Sequence, residues 1–268
     1  MGKGGRIRVG VGGWVYEPWR GIFYPKGLAQ KEELGFASRR LTAIEINGTF
    51  YRSQAPETFA KWHDETPAGF VFAVKAPRYA TNRRELASAG ESIERFVEGG
   101  LLKLKDKLGP VNWQLPPTRK LDLDDVERFL KLLPQAVAGR PMRHAIEVRH
   151  ASFRAPEFLA LAREHAVAVV VAGDSEYPQI ADLTAPFVYA RIMGTSAEEP
   201  AGYSPAALRL WAERARAWAQ GRAAEGLELV TDAAPAGAHD VFVYVISGHK
   251  ERNPAAAVAL IERLDDAG

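Results

Sequence analysis

The apolar positions of this chain follow two periods. Short runs with every second position apolar, rich in Val, Ile and aromatic residues, recur eight times: Arg6–Gly12, Thr42–Asn47, Phe70–Lys75, Pro110–Leu115, His144–Arg149, Ala166–Ala172, Phe187–Ile192 and Val241–Ile246. Each predicts a strand. Between them the spacing is helical: Val126, Phe129, Leu130 and Leu133 share one face, Leu208, Trp211, Ala215 and Trp218 another, and Ala257, Leu260, Ile261 and Leu264 a third. Ser204-Pro205 and Asn253-Pro254 each place a capping side chain before a proline suited to the first helical position. Tyr177-Pro178 and Ala185-Pro186 interrupt the helical signal between the sixth and seventh strands. Gly226–Thr231 competes for the eighth strand, and the Ala/Gly-rich Asp232–His239 reads as a loop.

Strands alternating with helices over roughly 250 residues predict α/β class, a single (β/α)8 TIM-type barrel over residues 1–268, irregular around its sixth helix and last strand. An open doubly wound sheet is the alternative. Gly10-Val11-Gly12-Gly13-Trp14 lacks the third glycine of a dinucleotide-binding turn and runs into aromatics instead of a helix, so no dinucleotide cofactor is expected.

Composition narrows the chemistry. The 268 residues are 47% hydrophobic, enough for a large core, and the 35 Lys+Arg against 33 Asp+Glu leave a net charge of only +2, no footprint for a broad duplex-binding face. With Cys 0, thiolate nucleophiles, disulfides and Cys-ligated metals are excluded. Met1–Arg8 has no apolar secretory core and no apolar run approaches ~18 residues, so a cytoplasmic, non-membrane protein is expected.

Side chains alternate across a strand, so Ile44 and Ile46 facing the helices send Glu45 and Asn47 into the lumen. The same reading directs Glu147 and Arg149, Asn112 and Gln114, Tyr189 and Arg191, and Lys75 inward, with Asp174 closing the sixth strand. Three acids (Glu45, Glu147, Asp174) then stand against three bases (Lys75, Arg149, Arg191) at the C-terminal strand ends, where barrel enzymes build their sites. A purely structural ion-pair network is the competing reading. Of the loop aromatics, Tyr16, Tyr51 and Tyr79 have hydroxyls that need partners and join the candidates, while Trp19, Phe23, Phe50 and Phe153 read as lid packing.

Ile44-Glu-Ile-Asn-Gly-Thr-Phe-Tyr-Arg52, Phe72-Ala-Val-Lys-Ala-Pro-Arg-Tyr79, Gly109-Pro-Val-Asn-Trp-Gln-Leu-Pro-Pro117 and Glu147-Val-Arg-His150 together resemble the YecE-like family, domain of unknown function seventy-two. The resemblance implies a TIM-barrel-like fold and carries no settled activity. The chain departs from the family pattern at Ile246-Ser247-Gly248, where an Asn-Asn-Asp-like stretch is usual, and at Met193, where His is frequent. It keeps the usual hydroxyl as Thr49, beside Gly48.

These residues point to a hydrolase-type enzyme acting on a phosphorylated or other anionic small molecule. Glu147 is the expected base and His150 or Glu45 the acid, with Lys75, Arg149 and Arg191 stabilising charge and Asn47, Tyr51, Arg52, Tyr79, Gln114, Asp174 and Tyr16 lining the site. Two alternatives are glycoside hydrolysis by Glu45 and Glu147, and nucleic-acid or nucleotide binding without turnover through Arg78, Arg83, Arg84 and Arg119. No cofactor is expected. Glu45, Glu147 and Asp174 could hold Mg²⁺ or Mn²⁺, but the interspersed Lys75 and Arg149 compete with a cation.

Overall fold

In the computed structural model, which describes residues 4–231 and 237–266, all eight predicted strands form and pair in parallel. They are β1 (Ile7–Gly12), β2 (Ala43–Ile46), β3 (Val71–Lys75), β4 (Leu108–Gln114), β5 (His144–Glu147), β6 in two pieces (Ala168–Val169 and Val171–Gly173), β7 (Phe187–Ile192) and β8 (Asp240–Val245). The first piece of β6 pairs with β5 and the second with β7, while β8 pairs with β1, so the ladder, continuous through Val170, nearly closes on itself as a TIM barrel. Gly226–Thr231 forms no strand. Its Val230 and Thr231 amides donate to the buried Asp182 carboxylate, both at 2.8 Å. Of the predicted loop Asp232–His239, residues 232–236 lie outside the described part.

Among the described residues the helices outside the barrel include α1 (Glu33–Ala37), α2 (Pro56–Glu65), α3 (Gly90–Glu98), α4 (Leu123–Leu132), α5 (Pro156–Glu164), α6 (Pro205–Ala219) and α7 (Asn253–Asp265), beside single helical turns at Gly48–Tyr51 and Arg78–Thr81. The proline-broken segment between β6 and β7 contains no helix, as its sequence predicts. Ser204 caps α6 by accepting from the Ala207 amide at 3.2 Å. Asn253 does not cap α7. It is buried in the first helical turn, where its Oδ1 accepts from Thr195 Oγ1 at 2.7 Å and its Nδ2 donates to the Ser247 carbonyl. That ties the loops after β7 and β8 together.

Two apolar layers follow from the strand alternation. The outer one joins Val9, Val11, Ile44, Ile46, Phe72 and Val74 to the helices. In the lumen, Ala43, Ala73, Ala145, Ala168 and Ala172 face the rings of Phe187, Tyr189, Phe242 and Tyr244. Small residues on one wall leave room for large rings from the other. This asymmetry lets the Tyr189 hydroxyl of β7 reach β2, 144 positions away, at 2.5 Å from Glu45 Oε2.

Candidate functional site at the barrel mouth

Above the aromatic layer sits a buried polar floor. Glu45 and Glu147 are both 0% exposed, and Arg191, 4% exposed, lies between them. Its Nη1 donates to Glu147 Oε2 at 2.6 Å and its Nη2 to Glu45 Oε1 at 3.0 Å. The other oxygen of Glu147 accepts from Arg149 Nε at 2.8 Å. Gln114 Nε2 and Asn112 Nδ2 complete its surroundings at 2.8 and 3.2 Å. Burial by itself pushes the Glu147 carboxyl up, but Arg191 and Arg149, helped by the Gln114 amide and Lys75, pull it down to about 2. Glu147 is therefore a permanent carboxylate near neutral pH, with its lone pairs already engaged.

Lys75 closes β3 in the same floor and behaves differently. It is 7% exposed, and among the described residues its ammonium has no hydrogen-bond or ion-pair partner. Nζ lies 4.1 Å from the centre of the Phe50 ring. Burial, then repulsion from Arg191, lowers its pKa from 10.5 to about 8, despite opposing attraction from Glu45 and Glu147. Its backbone is held from below by Thr49, whose hydroxyl donates to the Lys75 carbonyl at 2.6 Å. The hydroxyl that the family pattern retains thus pins the end of β3.

The floor opens into a cavity of about 840 Å³. Lys75, Arg149, Arg191, Asn47 and Gln114 line its base, Trp14, Phe50, Trp62 and Tyr51 its wall, and Arg52, Lys250 and Ser247 its rim. Gly12 makes room for one of these groups, because a Cβ there would lie 2.6 Å from Asn47 Nδ2. Tyr51, 67% exposed, projects at the edge with Arg78 over its ring, 6.0 Å from the centre.

Six sequence candidates lie outside this cavity lining: Glu45 and Glu147, sealed in the floor, and Asp174, His150, Tyr79 and Tyr16. Asp174 follows β6 in a left-handed conformation (φ 52°) and turns to α6, where it accepts from Trp211 Nε1 at 2.8 Å. His150 Nδ1 accepts from the Ser152 amide at 3.1 Å and so caps the turn after β5. Tyr79 uses its carbonyl to hold Arg83 Nε at 2.7 Å, and Tyr16 packs edge-on against Trp19 beneath the Lys250 ammonium. Two of the four loop arginines are occupied: Arg83 binds the Tyr79 and Ser88 carbonyls, and Arg119 binds the Arg83 and Arg84 carbonyls and pairs with Asp125. Sequence reading missed Tyr177, whose ring lies 4.2 Å below the Arg149 guanidinium, and Lys250 at the rim. Lys250 carried a signal, as a basic residue just beyond the last strand.

The inward charges are thus not balanced. With Asp174 turned away, two carboxylates face three cations in the floor, leaving one positive charge over, and Lys250 adds to it. Among the described residues no group of three or more His, Asp or Glu is gathered to hold a metal ion. No helix among them is long and apolar enough to cross a membrane.

The family whose sequence profile matches residues 8–268 is described as "Protein of unknown function DUF72". The chain belongs to that family. A curated relative, the UPF0759 protein YunF of Bacillus subtilis, is 27% identical over 157 residues, and the match spans 57% of this chain and 54%, about half, of the relative. Two solved DUF72 structures share the architecture. That of Enterococcus faecalis V583 superimposes with a TM-score of 0.71 at 18% identity, covering 98% of this chain and 99% of its own. That of Thermotoga maritima MSB8 gives 0.69 at 22% identity, covering 98% of each. At these identities the likeness is one of fold, and the DUF72 site must be read from its own side chains.

Proposed function

We propose that this protein is an enzyme that binds a small phosphorylated or otherwise anionic molecule in the barrel mouth and acts on it through Lys75. The observation that carries this reading is the Lys75 ammonium, buried at the cavity base with no counter-ion of its own among the described residues. A buried unpaired charge costs several kcal/mol, and a fold retains it where a ligand supplies the missing partner. The excess positive charge favours an anion, the volume suits a small molecule, and the Asn47 and Gln114 amides offer directional contacts.

The roles expected of the carboxylates shift accordingly. Glu147, held by Arg191, Arg149, Gln114 and Asn112, is the counter-charge that fixes these cations. Glu45, bound to Arg191 and Tyr189, does the same from β2. Lys75, poised near pH 8, takes over proton transfer, since a group with a pKa close to the working pH exchanges protons most effectively. A hydrolytic step would then use its neutral amine to activate water, with Arg191 stabilising the charge that develops.

Inorganic phosphate, sulfate and simple sugar phosphates, followed by calorimetry and thermal shift, test this. Binding is expected for the native chain, tightening as the pH falls from about 9 to 7 and Lys75 charges, and is expected to vanish in Lys75→Met. Equal binding by the two proteins would overturn the reading.

A further inference from the structure

Among the described residues two lysines are almost wholly buried, and they differ in their surroundings. Lys107, 5% exposed, spends its ammonium protons on the carbonyls of His63 and Thr66 and on the Thr66 hydroxyl. Its three acceptors staple α2 to the chain entering β4. Lys75, buried to the same degree, has none of these acceptors and opens onto the cavity.

The acids that could pair with Lys75 are already engaged. Arg191 spans Glu45 and Glu147, Arg149 takes the remaining Glu147 oxygen, and Tyr189 takes the remaining Glu45 oxygen. The same arginines repel a proton on Nζ, and the Phe50 ring shields the amine from water. A lysine amine that is desolvated and set beside other cations becomes a nucleophile once it has shed its proton.

From this we infer that Lys75 forms an imine with the carbonyl carbon of an aldehyde or ketone that also bears a carboxylate or phosphate. The proposal rests on the anion-binding reading above and names its substrate class. In the step, the lone pair of the neutral amine forms the C–N bond while the carbonyl π pair moves to oxygen. Proton transfer from nitrogen to oxygen gives the carbinolamine. Loss of that oxygen as water leaves the C=N bond, so amine plus carbonyl becomes imine plus water. The Asn47 and Gln114 amides line the base where the departing oxygen would lie, and Arg191, Arg149 and Lys250 supply charge for the anionic group. Protonated, the imine draws electrons from the neighbouring carbon, which labilises a C–H or C–C bond there.

The test uses the full chain incubated separately with glyoxylate, pyruvate and glyceraldehyde 3-phosphate in the presence of cyanoborohydride, which reduces an imine to a stable amine. Peptide mass mapping then locates the adducts, and phosphate-induced thermal shift is measured in parallel. The expected result is an adduct yield on Lys75 about tenfold above that on any other lysine, rising as the pH is raised through 8, because far more free amine is present there. Excess inorganic phosphate is expected to suppress it. Preference for glyoxylate and pyruvate, or for the triose phosphate, tells carboxylate from phosphate substrates. Labelling spread over lysines according to their exposure, or none on Lys75 with any of the three probes, overturns the imine. If phosphate still stabilises that unlabelled protein, the imine alone falls; if Lys75 is labelled but phosphate has no effect, the anion site falls instead.

Discussion

Arg191 Nη1 donates to Glu147 Oε2 at 2.6 Å in a place closed to water, although the two residues are 44 positions apart on different strands. The contact anchors a floor in which Glu45 depends on the same guanidinium. Removing the cation leaves two buried carboxylates facing each other. Arg191→Met is expected to cost about 3–5 kcal/mol in chemical denaturation. A loss below about 1 kcal/mol would mean that the pairing contributes little to the fold.

Lys75 should behave in the opposite sense. Its charged form is disfavoured in the folded chain, since burial brings the pKa from 10.5 to about 8. The unfolded chain therefore holds more protons between those values, and native stability is expected to rise as the pH climbs from about 8 to 10.5. Lys75→Met removes the penalty and should gain about 1–3 kcal/mol at pH 7 while losing that slope. A destabilised Met variant would show that Lys75 serves the fold.

Acid should weaken the protein in two windows. His144 accepts from Trp113 Nε1 through Nδ1, faces the Pro134 carbonyl through Nε2, and is held neutral by burial, its pKa falling from 6.5 to about 4. Its contribution is complete above 6.5 and is lost as the pH falls through 4. That of Glu147, depressed from 4.5 to about 2, is complete above 4.5 and is lost as the pH falls through 2. Denaturation midpoints measured from pH 7 to 2 should show both slopes, with Glu147→Gln abolishing only the lower one. A stability flat across the upper window would contradict the assignment of His144.

Asp174 and His150 are expected to matter for local structure and not for ligand binding. Asp174→Ala gives up the Trp211 contact and His150→Ala a turn cap, each costing about 0.5–2 kcal/mol. Phosphate binding measured by calorimetry should be unchanged in both. A loss of binding in either would return that residue to the site.

The strands and their inward faces are legible because a strand shows its faces every second residue, so Ile44, Ile46, Ile146 and Val148 aim Glu45, Glu147 and Arg149 at the lumen, and the same alternation on their own strands aims Lys75 and Arg191 there. The missing helix between β6 and β7 was legible too, from Pro178 and Pro186. The rule ends where the strand ends. Asp174 follows β6 in a left-handed turn and His150 begins a tight turn after β5, so neither obeys the alternation that placed its neighbours. Asn253 looked like a cap by its position before a proline, but the adjoining loops offered it Thr195 and the Ser247 carbonyl.

By itself, then, the sequence determined an eight-stranded barrel and the kinds of charge gathered in its mouth, because periodicity and composition are local. Which charge stays unpaired was decided only by the tertiary structure. Counting acids against bases gives a balanced mouth, but pairing is a matter of distances across the barrel: once Asp174 turns to Trp211 and Arg191 spans Glu45 and Glu147, Lys75 is left with no ion-pair or hydrogen-bond partner for its ammonium among the described residues.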